Sequence, residues 1–112
     1  MRGQALKGHL DMLVLAVLAE GPRHGYAVIE QLRLRSGDAF DLPEGTVYPV
    51  LHRLEQAGVL ASDWNDYAGR RRRTYRLTKS GRAALAEQRS AWESFSAAVG
   101  AVLNGVPWPR TT

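Results

Sequence analysis

The chain has 112 residues, no cysteine, and 15 basic against 11 acidic residues, so its formal net charge is +4. This length fits one domain, or one domain with an arm. The 45% apolar content supports a real core, and the 23% charged content argues against global disorder. Without cysteine there is no disulfide framework and no thiolate zinc site, and a reducing, cytoplasmic location fits.

Two helices are predicted in the N-terminal third. Leucine and valine recur at three- and four-residue spacing, which predicts an amphipathic helix on Leu6, Leu10, Leu13, Val14, Val17 and Leu18. The apolar stretch from Leu10 to Ala19 contains Asp11, lacks a signal-peptide cleavage pattern and is too short to span a membrane. Gly21-Pro22 ends this helix, and a second helix from about His24 to Leu34 is broken by Ser36-Gly37-Asp38.

A third helix follows Leu42-Pro43 and ends at Ala57-Gly58. Its apolar positions are Val47, Val50, Leu51 and Leu54, and its other face carries Thr46, Tyr48, Pro49, His52, Arg53 and Gln56. Because proline deep in a helix costs about 3 kcal/mol, we expect Glu44 to Thr46 to form the cap region and Pro49 to lie near the first turn.

A β-hairpin is predicted after Gly58. Two short extended runs flank a loop with Asn65, Asp66 and Gly69, and we expect Trp64 to pack on the inner face of the hairpin. Four arginines, Arg70, Arg71, Arg72 and Arg73, occupy its tip and the start of its return strand.

The positive charge is concentrated in this region. Residues 70–82 hold seven basic and no acidic residues, whereas the rest of the chain has eight basic and eleven acidic residues, a sum of −3. Such a concentration indicates a phosphate-backbone partner, and the alternative is a solvated basic loop.

A long last helix begins after Thr78, a good N-cap residue. Leu85, Trp92 and Val99 are seven residues apart, as are Gln88, Phe95 and Val102, so one face has a heptad pattern. We interpret Trp92, Phe95, Val99 and Val102 as a dimer seam, with a small-molecule pocket on the same residues as the alternative. The segment from Gly105 to Thr112, with Pro107-Trp108-Pro109, is predicted to be a flexible tail.

The order helix, helix, helix, hairpin, helix predicts a winged helix-turn-helix, mainly α with a small β-hairpin. We divide it into a DNA-binding domain at residues 1–77, a dimerisation helix at 78–104 and the tail at 105–112. The outward face of the third helix, with Thr46, Tyr48, His52 and Arg53, would then be free to enter a major groove about 12 Å wide.

Three segments resemble the PadR family of transcriptional regulators. They are Gly21-Pro22-Arg23-His24-Gly25-Tyr26, then Glu44-Gly45-Thr46-Val47-Tyr48-Pro49-Val50-Leu51-His52-Arg53-Leu54-Glu55, then Tyr75-Arg76-Leu77-Thr78 with Gly81. The resemblance covers roughly residues 10 to 85. It implies a homodimeric winged-helix DNA-binding protein, usually a repressor and often released by a small-molecule effector. The short C-terminal helix is similar to that of the compact subfamily.

The resemblance also implies roles for particular residues. It puts Tyr26, Thr46 and Tyr48 at the DNA face, and Gly69 to Arg73 at the tip of the wing. Trp92 looks like the tryptophan that lines a hydrophobic pore at the dimer interface in compact members.

Several residues have alternatives. Tyr26 could anchor the core with its hydroxyl at the rim, and Arg53 could pair with a carboxylate near Glu55. Alternate strand residues face opposite sides, so we expect two or three of Arg70 to Arg73 to touch DNA. His9, His24 and His52 are too dispersed for a metal site, and no metal or other cofactor is expected.

The sequence therefore predicts a sequence-specific DNA-binding transcriptional regulator, a homodimeric repressor released by an effector. Its expected partners are a palindromic double-stranded DNA operator, a second copy of the chain and a planar hydrophobic small molecule, with no membrane. The alternative is a winged-helix module that senses a hydrophobic ligand or binds a protein, with little DNA specificity. No nucleophile–base arrangement, phosphate-binding glycine loop or carboxylate pair indicates an enzyme.

Overall fold

The computed structural model describes residue 6 and residues 8–105 of the chain. Residues 8–105 form four helices and a three-stranded antiparallel sheet of order β1-β3-β2. The elements are α1 (Leu10–Leu18), β1 (Arg23–His24), α2 (Gly25–Arg35), α3 (Glu44–Gln56), β2 (Leu60–Tyr67), β3 (Arg70–Leu77) and α4 (Lys79–Asn104). The predicted winged helix-turn-helix, mainly α with a small hairpin, is confirmed.

The core lies between α1, α2, α3 and the base of the hairpin. Its members are aliphatic apart from one tyrosine: Leu6, Leu10, Val14, Leu15, Val17, Leu18, Val28, Leu32, Val47, Leu51, Leu54, Leu60, Tyr75 and Leu77. Apolar residues at helical spacing on α2 and α3 meet α1, which is buried along most of its length. Burial of these side chains is the main force that holds the three helices together.

The first helix is shorter than its apolar spacing predicted. Leu6 is helical and buried, but Gly8 and His9 form a turn, and α1 begins at Leu10. The His9 amide donates to the Leu6 carbonyl at 2.9 Å, which closes that turn. Leu6 therefore reaches the core from a position ahead of the turn that precedes α1.

The helix α3 contains Pro49 in its second turn, so the expectation that Pro49 lies near the first turn was wrong. Glu44 is the first helical residue and Pro43 is the N-cap, which makes Pro49 the sixth residue of the helix. A proline there cannot donate to the carbonyl of Gly45, four residues earlier. Gly45 is exposed, so water can satisfy that carbonyl.

The hairpin is longer than predicted. Asn65, Asp66 and Tyr67 belong to β2 and not to the loop, because each pairs with an arginine of β3. The loop is the two residues Ala68 and Gly69, whose φ angles of 50° and 77° are those of a tight hairpin turn. We call β2, this turn and β3 the wing.

A third strand, β1, was not predicted. It has two residues, Arg23 and His24, which pair with Tyr75 and Thr74 of β3. This pairing ties the start of α2 to the wing and brings His24 close to the arginines.

The start of α4 confirms Thr78 as its N-cap. The Thr78 Oγ1 accepts a hydrogen bond from the Gly81 amide at 3.0 Å and donates to the Gly58 carbonyl at 2.7 Å. Gly81 is buried, and a Cβ on it would lie 2.0 Å from the Val59 carbonyl oxygen. Glycine at this position lets α4 dock against the end of α3. The helix ends at Asn104 with Gly105 as its C-cap, and the rest of the predicted tail, including Pro107-Trp108-Pro109, lies outside the described residues.

Candidate nucleic-acid interface

The helix α3 turns one face to the core and the other to solvent. Val47, Leu51 and Leu54 are buried, whereas Thr46, His52 and Arg53 are exposed. An exposed helix face of this kind, carrying a hydroxyl, an imidazole and a guanidinium, can enter a major groove and reach base edges.

Tyr48 is half-buried, so it is less available than the other predicted groove residues. Its ring lies on Gly25, at the start of α2, where a Cβ would be 2.5 Å from the ring atom Cε1. Burial, and to a smaller degree the charge of Glu44, raise the pKa of the Tyr48 hydroxyl, so it stays protonated. Glycine at position 25 is therefore what allows this tyrosine to lie between α2 and α3.

Tyr26 is 58% exposed in the first turn of α2, so the alternative of a core anchor was wrong. A groove of about 360 Å³ separates the start of α2 from the wing. It is lined by His24, Gly25, Tyr26, Tyr48, Arg70, Arg71, Arg72 and Arg73. The fold thus brings two of the predicted tyrosines and the four arginines, which are far apart in sequence, to the lining of one groove.

Arg53 forms an ion pair, but with an acid that the sequence did not suggest. Its two terminal nitrogens donate to the carboxylate of Asp11 on α1, at 2.6 and 3.0 Å. These hydrogen bonds raise the pKa of the Arg53 guanidinium. The Arg53 side chain is still 59% exposed, and the pair ties α3 to α1 at the edge of the exposed face.

The arginines of the wing lie on both of its faces and stack on aromatic rings. Arg71 and Arg73 lie over the ring of Trp64, at 5.4 and 5.7 Å from its centroid, on one face. On the other face Arg72 lies 4.5 Å from the centroid of Tyr67. Such cation–π contacts hold guanidinium groups in place without neutralising them.

Trp64 was expected to pack on the inner face of the wing, and it lies on that face but packs on arginines and not on the core. It points to the same side as the buried Leu60, but it is 57% exposed because the core ends below it. Its contacts are with the arginines of the opposite strand. Tyr67, which is 61% exposed, has the same environment on the other face.

The four arginines differ in whether their charge is paired with a carboxylate. Arg73 donates to Glu55 at 2.5 Å and to Ser62 at 2.9 Å, so its charge is paired inside the protein. Arg70, Arg71 and Arg72 form no ion pair with any carboxylate in the described part of the chain. Within the wing, five arginines against two aspartates sum to +3, and pairing of Arg73 with Glu55 leaves +2 of this charge uncompensated.

His24 connects the groove to α2. Its Nδ1 accepts from the Ala27 amide at 3.3 Å, and its Nε2 is 3.1 Å from a terminal nitrogen of Arg72. A neutral imidazole has one lone pair, so it can accept only one of these two donors at a time. Partial burial and the positive charge of Arg72 lower the pKa of His24, which keeps the ring neutral near pH 7.

The helix α4 carries an exposed apolar stripe, defined as Trp92, Phe95, Val99, Val102 and Leu103. Their exposed fractions are 39, 60, 39, 71 and 55% in that order. The ring of Trp92 meets that of His9 edge-on at 4.8 Å. A cleft of about 400 Å³ lies beside this pair and reaches Asp11, Met12 and Phe95.

Two features are absent from the described residues. No group of three or more histidine, aspartate or glutamate side chains among them lies close enough together to hold a metal ion. In residue 6 and residues 8–105, no helix is long and apolar enough to cross a membrane.

Sequence reasoning missed three residues that hold this surface together. They are Asp11, which holds Arg53, and Glu55 and Ser62, which hold Arg73. The pairs Asp11–Arg53 and Glu55–Arg73 are 42 and 18 residues apart. No spacing rule links such positions, and the sequence carried no signal for either pair.

The fold and the exposed face of α3 beside a cationic wing define the class: this is a winged-helix protein of the kind that binds DNA. The transcriptional regulator PadR-like family matches residues 14–87, and the chain therefore belongs to that family. It is similar to the transcriptional regulator Rv3488 of Mycobacterium tuberculosis, with 41% identity over 83 residues, 74% of this chain and 75% of the relative.

Solved structures show the same likeness. A PadR family transcriptional regulator from Eggerthella lenta is 35% identical, with a TM-score of 0.80 over 89% of this chain and 86% of its own. A PadR-like transcriptional regulator from Bacillus cereus is 26% identical, with a TM-score of 0.82 over 93% of this chain and 100% of its own. The predicted family membership is confirmed, and the chain is a transcriptional regulator of the PadR family.

Proposed function

We propose that this regulator is a sequence-specific DNA-binding protein that acts as a homodimeric repressor and is released by a small-molecule effector. Residues 1–77 form its DNA-binding domain, and residues 78–104 form its dimerisation helix. The operator is palindromic because each protomer reads one half-site. No enzymatic step is part of this function.

One observation supports the proposal: the start of α2, together with Tyr48 of α3, and the arginine-bearing wing flank a single groove. Tyr26 and Tyr48 lie on the helix side of this groove, and Arg70 to Arg73 lie on the wing side. Thr46, Tyr48, His52 and Arg53 would contact base edges and nearby phosphates. Arg70, Arg71 and Arg72 would contact the flanking phosphates or the minor groove.

Dimerisation through α4 is supported by its exposed apolar stripe. The stripe runs along the part of α4 beyond Trp92, and a second copy of the same helix offers a matching surface. One α3 and one wing bury little surface on DNA, and pairing doubles the contact. Two-fold symmetry places the half-sites about 34 Å apart, or a multiple of this distance.

The test is fluorescence anisotropy with a labelled duplex from the DNA upstream of the protein's own gene, over a series of salt concentrations. The variant Arg70→Gln/Arg71→Gln removes two charges from the wing. The matched control Arg33→Gln/Arg89→Gln removes one charge from α2 and one from α4, outside the basic region at 70–82. We expect only the wing variant to bind weakly, with a salt slope lower by roughly 0.9 for each phosphate that it no longer neutralises. Equal binding by both variants would disprove the role of the wing.

A second function, effector binding at the apolar stripe, is supported by the cleft next to Trp92. His9, Trp92 and Phe95 place three aromatic rings around a space of about 400 Å³, large enough for a planar molecule. Quenching of tryptophan fluorescence by a planar aromatic compound should disappear in Trp92→Ala and persist in the control Trp64→Phe. Unchanged quenching in Trp92→Ala would exclude this site. A winged helix that binds a protein in place of DNA would show no salt-dependent DNA affinity at all.

A further inference from the structure

A closed cluster of three side chains joins α3 to the wing, and we call Glu55, Ser62 and Arg73 the helix–wing cluster. Arg73 donates to the Glu55 Oε1 at 2.5 Å and to the Ser62 Oγ at 2.9 Å. The Ser62 hydroxyl in turn donates to the Glu55 Oε2 at 2.5 Å. Every member therefore contacts the other two, and each of the three hydrogen bonds has a charged donor, a charged acceptor or both, which strengthens it.

The cluster lies where the wing leaves the core. Glu55 is in the last turn of α3, Ser62 is on β2 and Arg73 is on β3, so one ion pair and its bridging hydroxyl connect the helix to both strands. Below it Tyr75 is 1% exposed, and beyond it Trp64 is 57% exposed. The Arg73 guanidinium also lies over both of these rings, at 5.5 and 5.7 Å from their centroids.

The charges of the cluster are partly shielded from water. The side chains of Arg73 and Glu55 are 35 and 25% exposed, whereas those of the other wing pair, Arg76 and Asp63, are 48 and 62% exposed. A two-stranded hairpin that projects into solvent has little stability of its own. Its orientation therefore depends on contacts at its base, and the helix–wing cluster joins the pairing with β1 as a polar contact there.

We infer that Glu55, Ser62 and Arg73 are positioning residues that set the angle between the wing and α3, and that Arg73 is not itself a phosphate contact. This inference rests on the proposed DNA-binding function. A wing held at a fixed angle presents Arg70, Arg71 and Arg72 to the phosphates beside the groove that α3 enters. Prior ordering lowers the entropy cost of binding, so disruption of the cluster should weaken binding although no DNA contact is removed directly.

The direction in which DNA affinity changes when one negative charge is removed tests the inference. Glu55→Gln removes a negative charge close to DNA, so simple electrostatics predicts tighter binding. The cluster predicts the opposite: binding about 10-fold weaker, and a salt slope lower by roughly 0.9 for each phosphate that the wing no longer reaches. The matched control is Glu44→Gln, which removes an acid from the same helix that forms no ion pair with any described residue. It should bind DNA as well as the wild type or more tightly.

Arginine-to-lysine exchanges provide an independent test. A phosphate contact tolerates lysine because the charge remains, whereas Arg73 needs both Nε and a terminal nitrogen to reach two partners. Arg73→Lys should therefore lower affinity about as much as Glu55→Gln, and Arg71→Lys should have an effect of about twofold at most. Equal effects of the two lysine variants would make Arg73 an ordinary phosphate contact and overturn the inference.

Hydrogen exchange of the free protein separates this inference from the proposed function. Amides of the outer wing, residues 63–72, should exchange faster in Glu55→Gln than in the wild type, with no such change in Glu44→Gln. Tighter DNA binding by Glu55→Gln, or unchanged exchange in its wing, would overturn the positioning role. If the wild type binds no duplex at all, the proposed function fails, and the exchange result alone decides whether the cluster orients the wing.

Discussion

Gly81→Ala should destabilise the protein strongly, because the start of α4 has no space for a methyl group. The added Cβ would lie 2.0 Å from the Val59 carbonyl oxygen and 3.2 Å from a methyl of Leu77. The first of these neighbours is backbone, which a side-chain rotation cannot relieve. The first turn of α4 would have to move away from the turn that joins α3 to β2.

That movement would break identifiable hydrogen bonds. The Thr78 amide donates to the Val59 carbonyl at 3.2 Å, the Thr78 hydroxyl to the Gly58 carbonyl at 2.7 Å, and the Ser80 hydroxyl to the same carbonyl at 3.0 Å. At about 1 kcal/mol each, breaking all three costs about 3 kcal/mol. Alanine is a better helix former than glycine by up to about 1 kcal/mol, so the net destabilisation is about 2 kcal/mol.

Urea unfolding followed by circular dichroism, at one fixed protein concentration, measures this difference. With a denaturant slope of about 1 to 3 kcal/mol per M, the midpoint should fall by about 1 M. The matched control is Gly45→Ala, in the first turn of α3, where no atom lies within 4 Å of the added Cβ. The control should keep or slightly raise the midpoint. A midpoint for Gly81→Ala equal to that of the control would refute the close approach of α4 to Val59.

Two further predictions concern individual charges. Asp11→Asn should free Arg53 from its carboxylate, so binding to an unrelated duplex should tighten by up to about 10-fold at low salt. Fluorescence anisotropy with that duplex measures this change. Unchanged affinity would show that Arg53 does not face DNA. The pKa of His24 is lowered from 6.5, so the unfolded chain takes up the proton first and stability should fall as pH drops below about 6.5. In His24→Asn, which keeps an N-cap side chain, urea midpoints between pH 7 and 5 should depend less on pH, and an unchanged dependence would contradict the environment described for His24.

The parts of the fold that depend on local pattern could be predicted from the sequence. Val47, Leu51 and Leu54 recur at helical spacing and are buried as expected. Thr78 was identified as the N-cap of α4 because threonine can accept a hydrogen bond from an amide three residues later. The last helix runs from Lys79, directly after that cap.

The parts that depend on where the core ends could not be predicted. Trp64 lies on the same face of β2 as Leu60, as strand alternation predicts. The sequence does not show that the core ends between these two residues, so it did not predict that Trp64 would be 57% exposed. We expected Pro49 near the first turn because proline deeper in a helix is destabilising. It is in the second turn, where the carbonyl that loses its amide donor belongs to the exposed Gly45. The strand β1 has two residues, which is too few for any periodicity to show.

Polar contacts between residues far apart in the chain could not be predicted from the sequence either. The sequence suggested that Arg53 could be paired, but it placed the acid near Glu55 and not at Asp11. Nothing in the sequence distinguished Arg73 from the three other arginines of the run, although Arg73 pairs with Glu55 in the structure. Both assignments depend on how α3 packs against its neighbours. Only the three-dimensional arrangement distinguishes a free guanidinium from one that holds the fold together.

The most direct test of the proposed function is the molar mass of the protein, alone and bound to its upstream duplex, by analytical ultracentrifugation. Two chains should sediment together in the absence of DNA and remain two per duplex in the complex. The variant Phe95→Lys/Val102→Lys, which places charges on the most exposed part of the apolar stripe, should sediment as one chain and fail to bind specifically. A wild-type protein that is a single chain both free and on DNA would contradict the proposal.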